Sequence, residues 1–147
     1  SSDVCSSDLF GYQMRFDLSK GFPMPKPNRT LLTLRSIAFA QQRARCWYCH
    51  VRMWNRSTSE LPGLPAHCYR QLKATAEHLI ARSEGGPDSR ENIVAACAKC
   101  NHTRHRRKEP PSPLAYKNDV EKRIRSGRWH ARDIFVRGLL PPIRPHL

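Results

Sequence analysis

Four polar side chains between residues 77 and 105 have types that could hold a divalent metal and accept a proton. They are Glu77, His78, Asn101 and His105. Glu77 and His78 are adjacent, so on a strand they point to opposite sides, and one can bind a metal while the other faces a substrate. Asn101 and His105 are four residues apart and share one face of a helix. Glu77, Asn101 and His105 together offer the oxygen and nitrogen donors that suit Mg²⁺, Mn²⁺, Ni²⁺ or Zn²⁺.

Two Cys-x-x-Cys pairs, Cys46 with Cys49 and Cys97 with Cys100, bracket this region. Within each pair the spacing lets one turn present both sulfurs to a tetrahedral Zn²⁺ at about 2.3 Å. A redox dithiol, which would use one pair, and buried cysteines without a ligand are the alternatives. Structural zinc is favoured because a small domain with little core is stabilised by a metal. Four thiolates leave no open coordination position, so catalysis must come from other residues.

The remaining two cysteines, Cys5 and Cys68, lie outside the two pairs. The Ser/Asp-rich residues 1–10 resemble the translation of a sequencing adapter, so Cys5 is left out of the functional interpretation. Cys68 has no partner in the pattern and is predicted to be an ordinary small side chain. No segment has the pattern of a secretory signal, and four of the six cysteines are paired for metal binding. A reducing, cytoplasmic setting is therefore expected.

The elements that must position these residues can be predicted from periodicity and from Pro and Gly positions. Apolar residues at three- and four-residue steps predict the first helix, and alternation predicts the strands. Ser112 and Pro113 are suited to begin a helix, and Gly127 is suited to end it. The expected elements are a helix from 30 to about 45, a surface insertion over 53–73, strands over 74–81 and 93–96, a basic helix over 97–108, and a further helix from 112 to about 127.

The stretch 46–108 resembles the HNH endonucleases that combine a ββα-metal fold with zinc-binding cysteine pairs. The likeness depends on the order of the two Cys-x-x-Cys pairs, the Glu-His pair, the Gly-Gly loop, an Asn before an apolar strand and Cys-x-x-Cys-Asn. It implies an α+β fold, a small zinc-stapled ββα-metal (HNH) domain with flanking helices and irregular termini. The expected organisation is a disordered or extended leader over 1–29, a nuclease domain over 30–108 with its motif core over 74–108, and a basic helical C-terminal extension over 109–147.

The resemblance also implies roles for individual residues. His78 matches the general base of the family, and Glu77 matches its acidic metal ligand, with Glu in place of the commoner Asp. Asn92 matches the middle asparagine, which braces the loop and orients the histidine. Asn101 matches the third motif position, and His105 matches a further metal ligand of the colicin-like members.

One departure concerns the end of the motif. Many cysteine-containing members have Lys where this chain has His105, and His102 is a second candidate near the site. The implied reaction is hydrolysis of a DNA phosphodiester by a water that His78 deprotonates, with one divalent metal.

Charge favours a polyanionic partner. The chain of 147 residues has 26 Lys+Arg against 12 Asp+Glu, a formal net charge of +14, and cations near phosphates add salt-sensitive affinity. Four basic residues late in the motif are predicted to contact the DNA backbone: Arg104, Arg106, Arg107 and Lys108. The absence of an apolar run of about 20 residues excludes a membrane-spanning protein. An anionic membrane surface is a weaker alternative partner, and a non-catalytic zinc-stapled nucleic-acid-binding module is the alternative function.

Overall fold

The computed structural model describes residues 28–141. The predicted leader, with Cys5, lies outside the described residues except for its last two positions. Within residues 28–141, every helix is too short or too polar to span a membrane. Two short 3₁₀ turns, Thr58–Glu60 and Arg82–Glu84, accompany the main elements. The main helices and strands, in chain order, are α1 (Arg29–Gln41), α2 (Ala66–Leu72), β1 (Ala74–His78), β2 (Ile93–Cys97), α3 (Ala98–His105), α4 (Pro113–Arg125) and α5 (Arg132–Val136).

The centre of the fold is an antiparallel hairpin followed directly by a helix. Strands β1 and β2 pair with Ala74 opposite Cys97 and His78 opposite Ile93, and α3 begins at the residue after β2. Cys97 therefore ends β2 and caps α3, since its Sγ accepts from the backbone N–H of Cys100. This ββα order, together with the helices around it, confirms the predicted α+β class.

Helix α1 packs against the hairpin and closes its outer edge. The side chain of Asn28 caps the helix by accepting from the backbone N–H groups of Thr30 and Leu31. At the other end, Gln42 donates to the carbonyl of Ala95 at 2.8 Å and accepts from its N–H at 2.9 Å. In the described residues the sheet has no third strand beside β2. The amide of Gln42 provides hydrogen-bond partners for the backbone N–H and carbonyl of Ala95, which a third strand would otherwise supply.

The prediction of a surface insertion over 53–73 is wrong. Part of this segment forms α2, and side chains along it are buried, with Cys68 and Leu72 fully enclosed. Pro62, Gly63 and Pro65 do make the segment irregular before α2. A two-stranded hairpin cannot bury enough apolar surface alone, so the apolar side chains of this segment pack into the common core.

The C-terminal helices share that core. Ser112 caps α4 by accepting from the N–H of Ala115, and Pro113 occupies its first turn, as predicted. Helix α4 ends at Arg125, close to the predicted stop at Gly127. One cluster of buried residues joins α1, the cysteine region, α2, the hairpin and both last helices; it includes Ala38, Tyr48, Leu72, Ala95, Tyr116, Val120, Trp129 and Ile134. The predicted boundary at residue 109 stays a prediction.

Candidate functional site

The four paired cysteines meet in the interior. Cys46, Cys49, Cys97 and Cys100 are buried, none forms a disulfide, and their sulfur atoms all lie within 4.8 Å of one another. The Sγ atoms of Cys49 and Cys97 are 3.8 Å apart, which equals the spacing of about 3.8 Å expected for sulfurs at about 2.3 Å from one tetrahedral ion. The donor set and its geometry therefore fit a structural metal.

Backbone N–H groups donate hydrogen bonds to two of the four sulfur atoms. The backbone N–H of Cys97 donates to Sγ of Cys46 at 3.2 Å, and that of Cys100 donates to Sγ of Cys97 at 3.5 Å. Burial raises the pKa of the Cys49 and Cys100 thiols well above the ordinary value. Hydrogen bonds from the neighbouring thiols lower the pKa of Cys46, and a cation among the sulfurs would favour deprotonation of the others.

His130 lies against the same cluster, although the sequence indicated no role for it. Its Nε2 is 3.2 Å from Sγ of Cys49. Burial, with a contribution from Lys99, lowers the pKa of His130 to about 4. The neutral ring can donate a single hydrogen bond from Nε2 to the sulfur, which links the segment before α5 to the cysteine cluster.

Glu77 is the centre of a buried network. Its side chain is only 2% exposed. Oε1 accepts a hydrogen bond from the hydroxyl of Tyr48 at 2.7 Å and another from Nη1 of Arg104 at 2.6 Å. Oε2 lies 3.0 Å from Nε2 of His105. Burial and the neighbouring Glu77 carboxylate raise the pKa of Tyr48 well above its ordinary range, so the phenol remains a donor.

Arg104 is the cationic member of this buried network. The sequence predicted that Arg104 would contact DNA, but its side chain is only 6% exposed and pairs with Glu77. Its Nε also donates to the carbonyl of Pro111 at 3.0 Å. In the structure Arg104 is therefore an interior ion-pair partner of Glu77, and its contact with DNA stays a prediction. A buried carboxylate at this position needs a cationic partner, which explains the placement.

The other predicted DNA contacts do face solvent. Arg106, Arg107 and Lys108 are exposed beyond the end of α3, which stops three residues earlier than predicted. The guanidinium of Arg107 lies 5.8 Å from the ring centroid of Tyr116.

His78 belongs to a second network on the opposite side of β1. Its Nε2 lies 2.8 Å from Oδ1 of Asp88 and 3.2 Å from Nε of Arg82. Hydrogen bonds from His78 and Arg82 hold the pKa of Asp88 below its ordinary value. An ionised carboxylate only accepts, so a hydrogen bond to Asp88 requires the tautomer of His78 that is protonated at Nε2; Arg82 then donates to Asp88 alone, and Nδ1 has the lone pair.

Asn92 fixes the loop that carries Asp88. Its Oδ1 accepts from the N–H of Ile80 at 2.7 Å, and its Nδ2 donates to the carbonyls of Ile80 and Pro87, each at 3.0 Å. Only glycine fits at position 86, because a Cβ there would lie 1.8 Å from the carbonyl oxygen of Ile80. Asn92 thus braces the loop beside His78, the role that the resemblance implies.

Asn101 and His102 occupy different surroundings from Glu77. The amide nitrogen of Asn101 donates to Oγ1 of Thr75 at 3.0 Å and to the carbonyl of Ala76 at 3.2 Å. His102 is exposed and lines a cleft between α1 and β1, together with Thr75 and Arg35. Among the predicted metal ligands, the structure therefore brings Glu77 and His105 into direct contact, while Asn101 bonds to the strand.

Comparison with known proteins agrees with this geometry. The family model for HNH endonuclease matches residues 66–107. The match begins at α2 and ends just after α3, so it contains Glu77, Arg104 and His105, the network around His78, and the second cysteine pair, while Tyr48 lies outside it. It indicates a nuclease-related function in nucleic-acid processing. No solved structure matches the chain.

Four functional neighbours were missed by the sequence interpretation: Tyr48, Arg82, Asp88 and Arg104 as a partner of Glu77. Asp88 follows Gly85, Gly86 and Pro87, and this run of residues by itself indicates only a loop. The presence of Asp ten residues after the histidine, inside a hairpin loop, is the one signal that could have indicated a pair. Tyr48 lies 29 residues from Glu77, and no spacing rule connects them.

Proposed function

We propose that the protein is a metal-dependent endonuclease that hydrolyses phosphodiester bonds of DNA, with His78 as general base. The observation that carries this proposal is the division of adjacent Glu77 and His78 between two networks. Glu77 contacts His105 on one side of β1, and His78 contacts Asp88 on the other. Such a division assigns metal binding and proton transfer to two different side chains, both of which must reach the same phosphate.

His78 has the geometry of an oriented base. In the tautomer protonated at Nε2, His78 donates a hydrogen bond to Asp88 and keeps the lone pair on Nδ1 for a water molecule. The side chain is 16% exposed, so the ring is held in place while solvent can still reach it. A base positioned in this way contributes roughly 10²–10⁴-fold to the rate.

Glu77 and His105 are the residues that would hold the divalent ion. Asn101 would be a third ligand only through its Oδ1, because its amide nitrogen bonds to β1. The 3.0 Å separation of Glu77 Oε2 from His105 Nε2 matches that of adjacent ligands about 2.1 Å from an octahedral ion, which is about 3.0 Å. When bound, the ion would neutralise charge that develops on the phosphate and leaving oxygen. Exposed Arg106, Arg107 and Lys108 would hold the DNA backbone at this edge.

The four-cysteine cluster is proposed to hold one structural Zn²⁺. Thiolate donors and a closed tetrahedral set are typical of structural zinc. The cluster joins residues before the hairpin to the beginning of α3. It would therefore maintain the position of α3, which carries His105, relative to β1.

A non-catalytic nucleic-acid-binding module is the second candidate, and one observation favours it. Arg104 already neutralises Glu77 in the interior, with an N–O distance of 2.6 Å. A divalent ion at Glu77 would lie beside this guanidinium and be repelled by it. If the repulsion prevents metal binding, the basic surface would bind nucleic acid without cutting it.

Cleavage of supercoiled plasmid DNA separates the two candidates. The purified chain is incubated with Mg²⁺, Mn²⁺ or Ni²⁺, and DNA affinity is measured in parallel. The expected result is metal-dependent nicking or linearisation that falls at least about 100-fold in His78→Ala. Asn118→Ala, at an exposed position on α4, should keep the wild-type rate.

Two results would contradict the proposal. Equal cleavage by His78→Ala and wild type would remove the assigned base. Retained DNA affinity without cleavage in any metal would establish the binding module instead.

A further inference from the structure

A second group of potential metal ligands lies away from the hairpin. His67 and Cys68 on α2 and Asp133 on α5 bring one ligand atom each to within 4.8 Å of one another. Sixty-five positions separate Cys68 from Asp133 in the sequence, so only the packing of α5 against α2 brings them together. None of these residues takes part in the cysteine cluster or in either network of β1.

The geometry of this group suits a three-ligand site. Donors at about 2.0–2.3 Å from a tetrahedral zinc are separated by about 3.3–3.8 Å. Cys68 is fully buried and held in the core, whereas the side chains of His67 and Asp133 are exposed. Small changes of rotamer at the two exposed residues would therefore close the remaining distance without moving the backbone.

These donors are available for binding. In the part of the chain that the structure describes, no hydrogen bond or ion pair is recorded for the imidazole of His67 or the carboxylate of Asp133. An incoming ion therefore need not displace a protein partner from either group.

Charge balance also favours a cation. Binding of Zn²⁺ would release the thiol proton, and the thiolate and the Asp133 carboxylate would then neutralise the two charges of the ion. Arg137, four residues after Asp133, is a positive charge close to the group.

We propose that His67, Cys68 and Asp133 bind one Zn²⁺, with the fourth coordination position open to solvent. A sulfur, an imidazole nitrogen and a carboxylate oxygen form a borderline-soft donor set that suits zinc better than Mg²⁺ or Ca²⁺. Because α2 begins the HNH segment and α5 lies beyond it, the ion connects the segment to the C-terminal part of the chain. This site is separate from the four-cysteine cluster and does not depend on nuclease activity.

The test is the difference in zinc binding between the full-length wild type and single variants. Each protein is loaded with Zn²⁺, exchanged into a weak chelating buffer, and examined by native mass spectrometry and by chelator competition. Asp133→Asn and His67→Ala are expected to bind about one zinc fewer than wild type, or to hold it at least about tenfold more weakly. Glu109→Gln removes an exposed carboxylate outside the group and should match wild type.

The comparison distinguishes this site from the cysteine cluster. If the cluster holds zinc, wild type binds about two ions and Asp133→Asn about one; if the cluster does not, the numbers are about one and none. Cys68→Ser is a further variant at a buried position. If Cys68→Ser does not fold, Asp133→Asn and His67→Ala, both at exposed positions, still test the proposal. Identical zinc content and affinity in wild type, Asp133→Asn and His67→Ala would overturn the proposal.

Discussion

Replacement of Arg104 by alanine tests whether this residue stabilises the interior or contacts DNA. The side chains of Arg104 and Glu77 are 6% and 2% exposed, and their Nη1 and Oε1 atoms are 2.6 Å apart. Arg104→Ala would leave Glu77 with Tyr48 and His105 as partners but without the permanent positive charge. Removal of one partner of a buried ion pair costs about 3–5 kcal/mol.

The expected loss is large enough to measure by urea and thermal unfolding. At about 2–4 °C per kcal/mol for a chain of this size, Arg104→Ala should lower the Tm by about 6–20 °C. Arg106→Ala, at an exposed position two residues along, should change the free energy of unfolding by no more than about 0.5 kcal/mol. Both measurements are made on zinc-loaded protein so that the metal content is equal.

A double variant identifies the cause of the loss. If the uncompensated Glu77 carboxylate destabilises Arg104→Ala, then addition of Glu77→Gln should recover part of the lost stability. The reasoning is refuted if Arg104→Ala unfolds like wild type and instead reduces the salt dependence of DNA binding. A reduction of about 0.9 in the slope of log affinity against log salt would identify a phosphate contact.

Two further predictions concern the cysteine cluster and the loop beside His78. Removal of zinc with a strong chelator should cause cooperative loss of near-UV circular dichroism that added Zn²⁺ reverses, because the small core depends on the metal; an unchanged spectrum in a metal-free sample would contradict the structural role. Gly86→Ala should lower both the Tm and the rate of plasmid cleavage, because a Cβ at this position would lie 1.8 Å from the carbonyl oxygen of Ile80 and the loop that carries Asp88 must shift. Gly85→Ala is the matched control: its Cβ would meet nothing within 4 Å, so only its φ of +84° is unfavourable, at about 1–2 kcal/mol. Equal cleavage rates for the two glycine variants would show that loop position does not affect the site.

Local sequence patterns predicted most of the elements. The ββα order, the capping of α4 by Ser112 and the beginning of α1 near Thr30 all follow from short-range rules. The segment before β1 was predicted wrongly because its prolines and glycine indicated irregular backbone but not exposure. Burial of Cys68 and Leu72 depends on contacts with distant elements, and no local pattern contains that information.

The type and spacing of residues in the sequence indicated the kinds of site that the chain could form: a metal site and a site for proton transfer. Two cysteine pairs, an adjacent carboxylate and imidazole, and an asparagine before an apolar strand are short-range features, and they were sufficient to indicate a metal cluster and an HNH segment. The tertiary structure alone decided the partner of each group. Arg104 pairs with Glu77, Asp88 contacts His78, and Asp133 lies beside His67 and Cys68. For Glu77 the physical reason is burial, because an unpaired charge in the interior is costly and a cationic neighbour is therefore required. The other contacts depend on how the hairpin loop closes and on how distant elements pack, which no local pattern contains.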